Sequence, residues 1–397
     1  MTRDDILEAA FHAWGRDAYR TMNLSAVASR LNVTKPALYR HFRNKEALQD
    51  AMTADFFDRF SVRLRTILAE AAKPAPENER LLNVVEGLAD YFARNREDLI
   101  FIFARLLGMP ETEKLFFREF QARGVTPPVL SDSDERKPRL HFTLATCFFS
   151  VAIFHLDRGE TDMPPTEPEI ARAIADARSF VAHGLAFPLV GVTAIEYSKL
   201  DGIAGLTAAE TSPGDGLLPS IAAAVAEAGP WNASMELIAR KSGLSKSGLY
   251  AHFKSREEML RQLFITEFER ISNLMRDRAA LSALPAERLY LALAAAEEYL
   301  LARQDVLVAL DWVRAQRIDM STTIPETLMP LFGFLSDAAA RGECRIPTDR
   351  LDLTVQWILF LLVNMLMARR QHGLSAGAAR SHLHVLHSLV CIGIEGW

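Results

Sequence analysis

The chain has 397 residues, 49% of them hydrophobic and 24% charged, and a formal net charge of −5. Such a length exceeds one ordinary compact core and calls for two domains, while the balanced composition excludes a disordered or low-complexity protein. Three cysteines without a CxxC pair exclude a disulfide framework and suit a reducing cytoplasm.

Residues 4–16 place Ile6, Leu7, Ala10, Ala13 and Trp14 at helical spacing. Asp4, Asp5 and Glu8 in the same stretch do not fit a secretory leader, which opens on basic residues. Asn23 is placed to cap a second helix, whose Leu24, Val27, Ala28 and Leu31 share one face. Asn32-Val33-Thr34 makes a turn, and Thr34 is the expected cap of a third, short helix in which Leu38 and Phe42 point inward. Lys35, Pro36, Ala37, Tyr39, Arg40 and His41 are left for its outer side, and Pro36 is tolerable there because the first turn has no partner for its missing N–H.

Asn44-Lys45-Glu46 opens a long helix that Lys73-Pro74-Ala75-Pro76 breaks, with further helices at about 79–95, 98–107, 112–123, 138–157 and 168–187. Residues 188–214, mixed polar with Gly and Pro, read as a linker. Leu217, Leu218, Ile221 and Val225 then begin a second series, with Ser234 capping its second helix. A long helix is expected at about 255–280, then helices at about 286–303, 305–316, 325–341, 349–371 and 376–394. The expected fold class is all-α. Two apolar runs, 140–156 and 357–363, fall short of the roughly 20 residues of a membrane span and read as buried helices, so no membrane partner is expected.

The second series repeats the first. Residues 24–48 and 235–259 align without a gap at an offset of 211, with identities at Ala28/Ala239, Lys35/Lys246, Leu38/Leu249, Tyr39/Tyr250, His41/His252, Phe42/Phe253 and Glu46/Glu257. Each copy holds five Lys/Arg, against one acid in the first (net +4) and three in the second (net +2), so the rest of the chain carries −11. Basic heads on an acidic body mark local phosphate binding.

Val33-Thr34-Lys35-Pro36-Ala37-Leu38-Tyr39-Arg40-His41-Phe42-Arg43-Asn44-Lys45-Glu46 resembles the recognition-helix signature of the TetR family of bacterial transcriptional regulators, and residues 244–259 resemble it comparably. Ile6 to Phe11 and Tyr19 are similar to that family's first helix and the turn after it. The resemblance implies helix-turn-helix heads at 1–48 and 215–259 and helical regulatory bodies at 49–187 and 260–397. Family members usually carry one head per chain and pair as homodimers through their last two helices. Here the fused copies are expected to pair within the chain as a pseudo-dimer, with a further homodimer open.

By the same resemblance, Thr34, Lys35, Tyr39, His41 and Lys45 face phosphates or the groove rim of double-stranded DNA, as do Ser245, Lys246, Tyr250, His252, Lys254 and Arg256 in the second head. The remaining outward positions, Pro36, Ala37 and Arg40 against Ser247 and Gly248, are left for bases, with Arg40 open to a phosphate role instead. Arg40 aligns with Ala251, which predicts an operator with unlike halves. The family also implies a small-molecule effector in each body. Candidate linings are Phe92, Phe101, Phe103, Phe116 and Phe120, then Tyr299, Trp312, Phe332 and Trp357, although such aromatic stripes are more often plain core.

No HExxH, GxSxG, P-loop or GxGxxG pattern occurs, so neither an enzyme nor a cofactor is expected. His384, His387 and Cys391 share a helical face but match no zinc spacing, so packing between the repeats is preferred to a metal. The alternative to a ligand-responsive repressor is a ligand-binding or protein-interaction module whose heads have lost DNA affinity.

Overall fold

The computed structural model describes residues 2–17, 24–106, 112–125, 136–159, 163–213, 217–228, 234–315, 323–347, 350–372 and 376–397. Among them every regular element is a helix. The chain divides into two compact units, Met1–Ala182 and His183–Trp397.

The first unit opens with α1 (Arg3–Asp17), α2 (Leu24–Arg30), α3 (Lys35–Tyr39) and the long α4 (Lys45–Ala71). It continues through α5 (Glu77–Arg94), α6 (Arg96–Phe101) with a π-helical turn at Ile102–Leu106, α7 (Thr112–Ala122), α8 (Arg136–Arg158) and α9 (Glu167–His183). Asn23 and Tyr19 lie outside the described residues. The core is aromatic: Phe56, Phe57, Phe60, Phe92 and Phe101 are buried, and Phe101 meets Phe11 of α1 edge-on at 5.1 Å. That ring contact fastens the first helix to the body.

The second unit begins with three short helices, α10 (Leu189–Thr193), α11 (Tyr197–Ala204) and α12 (Ala208–Thr211). Then come α13 (Leu217–Ala228), α14 (Met235–Lys241), α15 (Lys246–His252), the long α16 (Arg256–Ala279), α17 (Pro285–Ala302), α18 (Gln304–Ala315), α19 (Thr323–Ala340), α20 (Leu351–His372) and α21 (Ala376–Gly396).

The stretch that composition assigns to a linker is therefore packed helix rather than coil. Gly184 ends α9 with φ +54, and Leu185 and Phe187 donate backbone N–H bonds to the Val390 and Cys391 carbonyls (2.8 and 3.0 Å). This pairing explains why the helix expected to reach 187 stops at His183. Farther on, Tyr197 donates to Nδ1 of buried His387 at 2.9 Å, and Nε2 of His387 donates to the Ala286 carbonyl at 2.8 Å. Asp201 accepts from Tyr290 and lies 3.0 Å from Nε2 of His384. Arg278 and Arg270 of α16 hold the Gly205 and Ser212 carbonyls at 2.9 and 2.6 Å. The histidine face read as inter-repeat packing thus binds α11 inside one unit, and Cys391, 3.3 Å from His387, belongs to the same cluster.

The copies diverge at the long helix: α4 has 27 residues and α16 has 24, so the offset of 211 at their starts becomes 208 at α5 and α17. Tyr91 and Tyr299 then occupy the same place near the ends of those helices, and each donates to a buried carboxylate. The charges are exchanged between elements. In the first unit Asp98 of α6 is the acid, and Arg59 of α4 reaches it bidentately at 2.7 and 2.9 Å. In the second, Glu267 of α16 is the acid and Arg303, at the start of α18, is the cation, 3.5 Å away and itself bonded to Asp305 at 2.9 Å. Either arrangement satisfies a buried carboxylate between the long helix and the body.

Two helices, Pro138–Arg158 and Leu351–Ala368, are longer than the apolar runs within them and could cross a membrane by length and composition. Within the protein 56% and 44% of their apolar windows are buried, as core helices are.

Candidate nucleic-acid interface

Each head builds its turn in the same way. Asn32 and Gly243, equivalent at offset 211, take left-handed backbone with φ of 52° and 71°. This conformation costs Asn and Gly least. The next residue, Val33 or Leu244, donates its N–H to the carbonyl of Ala28 or Ala239 at 2.9 or 2.8 Å. Asn32 and Gly243 themselves donate to Ser29 and Arg240 at 3.0 and 3.2 Å. These bonds close α2 and α14 and turn the chain into α3 and α15.

Side-chain caps fix where the helices begin. Ser245 accepts from the Gly248 N–H at 3.0 Å, and Ser234 from Leu237 at 3.2 Å. Thr34 stands at the corresponding cap position with extended backbone, but its hydroxyl makes no cap bond, contrary to the sequence expectation. The long helices start alike, with Asn44 accepting from Ala47 at 2.8 Å and Ser255 from Glu258 at 3.1 Å.

Leu38, Phe42, Leu249 and Phe253 are buried in their heads. The face left over carries Thr34, Lys35, Pro36, Tyr39, Arg40 and His41 exposed, with Ala37 and Lys45 half-buried. In the second head Ser245, Lys246, Ser247, Tyr250, Ala251, His252 and Lys254 are exposed and Gly248 is half-buried; the Arg256 side chain lies outside the described residues. Tyr39 and Tyr250 are 49% and 42% exposed, so each is about half covered and half open to solvent. Each surface combines cations, hydroxyls and a helix N-terminus, a set suited to phosphate.

One contact breaks the equivalence. Lys246 is paired with Glu236 of α14, and Lys241 with Glu227 of α13. The Lys246 hydrogen bond holds the Glu236 carboxyl below the usual range, and Glu236 in turn raises Lys246. The equivalent of Glu236 in the first head is Ser25, and among the described residues Lys35 has no carboxylate partner. Sequence reasoning passed over Glu236 because it stands ten residues before Lys246, on another helix. The visible signal was an acid where the first copy has a neutral residue.

The predicted pocket residues sit in packed core. Phe92, Phe101, Tyr299, Phe332 and Trp357 are fully buried, Phe103 and Phe120 nearly so, and Phe116 partly. Phe116 and Phe120 both stand against Phe57, at 5.2 and 5.3 Å, while Phe103 packs on Phe149 at 5.5 Å. The Trp312 side chain lies outside the described residues. A groove of about 660 Å³ lies instead in the second unit, between α12, α13 and the α17–α18 corner, where Arg303 and Asp305 line it. None of the predicted pocket residues lines that groove.

The family model described as bacterial regulatory proteins, tetR family, matches residues 6–52 and again residues 220–263. No curated protein matches the chain. Both matches fall on the two helix-turn-helix heads and the start of the long helix behind each. The chain therefore carries, in tandem on one polypeptide, two TetR-type N-terminal domains, the DNA-binding helix-turn-helix part of that family of transcriptional regulators.

Proposed function

We propose that the protein is a ligand-responsive repressor whose two unlike heads read one asymmetric operator. The supporting observation is the pair of recognition helices: the same turn geometry exposes Lys, Tyr and His at equivalent positions, yet Arg40 stands where the other head has Ala251. In this reading α8 and α9 pair with α20 and α21 inside the chain, so one polypeptide does the work of a homodimer. Two half-sites then lie about one helical turn apart, roughly 34–36 Å, or a multiple of it. Arg40 bonds a guanine edge in one half only. Thr34, Lys35, Tyr39, His41 and Lys45, with their counterparts Ser245, Lys246, Tyr250, His252 and Arg256 and the neighbouring Lys254, set the register on phosphates.

Ligand response is assigned to the bodies. In the first, the ring cluster runs without interruption from Phe92 through Phe60, Phe56 and Phe101 to Phe11 of α1. An effector that parts these rings shifts α4 and α1 together and changes the head's position. Selection of sites from random double-stranded DNA by the purified protein, at moderate salt, tests the reading. One enriched site with two different halves is expected. Two identical halves overturn the asymmetry, and absence of any enriched sequence favours the interaction-module alternative.

A further inference from the structure

We propose that Glu236 is a built-in competitor for DNA phosphate that makes the second head the weaker half of the pair; this rests on the DNA-binding reading above. Lys246 is the first residue of α15 and the counterpart of Lys35. Its ammonium is held by the Glu236 carboxylate, with both side chains more than half exposed (53% and 60%), so the pair lies at the surface that faces DNA. A carboxylate there offers the lysine what a phosphate oxygen offers, an anionic acceptor. A phosphate arriving at Lys246 must displace Glu236 or be repelled by it. At Lys35 the ammonium is exposed, and the neighbouring position is the uncharged Ser25. Other charges of α13 and α14 lean the same way: Lys241 is neutralised by Glu227, which aligns with Arg16 of the first copy. Glu236 is thus one of the two acids by which residues 235–259 exceed residues 24–48; the other, Glu258, stands at the start of α16. The neutralised lysines sit on and beside the helix that would enter the groove.

The contact acts through salt-sensitive charge, which makes it measurable without knowing the operator. Non-specific affinity is carried by phosphates, and each phosphate neutralised adds about 0.9 to the slope of log K against log salt concentration. Binding to a random-sequence duplex is measured across a salt series for the wild type, Glu236→Ser, Lys246→Gln and the double variant. Glu236→Ser is expected to tighten binding about two- to five-fold at low salt, the range of an exposed pair, and to steepen the slope by about 0.9. Lys246→Gln weakens binding less in the wild type, where Glu236 already engages the lysine, than in the Glu236→Ser background, where it cancels the whole gain. An unchanged slope in Glu236→Ser, or a gain that survives Lys246→Gln, overturns the proposal while salt-dependent wild-type binding leaves the DNA-binding reading standing. Absence of duplex binding in every variant overturns both. Glu236→Gln, which keeps the shape of the side chain, separates charge from any effect on folding and should match Glu236→Ser.

Discussion

At the scale of residues, the heads differ less in what they hold than in how each group is engaged. Arg40 carries the clearest consequence: Arg40→Ala should remove one guanine preference, worth about 1–3 kcal/mol, from one half of the selected site and leave the other half intact. A uniform loss of affinity in the same selection, with every base preference kept, would place Arg40 on phosphate instead. Inside the bodies the consequence is one of stability. Glu267 and Arg303 are both almost fully buried, so Arg303→Ala leaves a buried carboxylate without its cation. Urea denaturation should show a loss of about 3 kcal/mol or more. The matching pair in the first unit is more forgiving, because Arg59 reaches Asp98 from the surface with 42% of its side chain exposed. Neither clamp was legible in the sequence. Tyr91 and Tyr299 are brought to their carboxylates by helix packing, at an offset that differs from that of the heads.

At the scale of elements, the turn of each head is the most exacting piece of backbone. Gly243→Ala imposes the left-handed strain of a side chain where space itself is open, and should destabilise the second unit by about 1–2 kcal/mol. Asn32→Gly should leave the first unit within about 0.5 kcal/mol of the wild type, since both residues accept that conformation. Urea titrations of both variants check the contrast. The heads could be read in advance because their signals are local: a cap, a left-handed residue and two apolar positions four apart lie within a few turns of one another. Helices of the bodies were legible too, since apolar spacing places them to within a few residues. The short helices between the repeats were not. Tyr197 and Asp201 are ordered by His387, His384 and Tyr290, which stand far away in sequence, and no local pattern announces such partners. The three-residue shortening of the long helix hid the correspondence of the bodies for a similar reason, because the repeat loses its register just where the head ends.

At the scale of the whole molecule, each unit buries a neutral histidine, His155 against the Phe92 carbonyl and His387 against Tyr197 and Ala286. Burial pushes both down to about 4. A depressed folded pKa means that the unfolded chain takes up the proton first, so stability is lost as pH falls from about 6.5 towards about 4. Between about pH 7 and about pH 5 the loss should be about 2 kcal/mol in each unit, read from denaturation midpoints. Midpoints that stay level over that interval would show that these rings accept a proton in place. The segment from Gly184 to Pro213 has a last consequence, for anyone who divides the protein. A cut at 214, where composition suggests a seam, would strip Tyr197 from His387, Asp201 from Tyr290 and the partners of Arg270 and Arg278 from α16, leaving a wound across the second half. A cut after Ala182 keeps that cover in place. The fragment 183–397 should therefore unfold in one sharp transition and 215–397 should precipitate or melt gradually, so that the natural seam of this duplicated protein lies at the end of a helix, some thirty residues before its second copy begins.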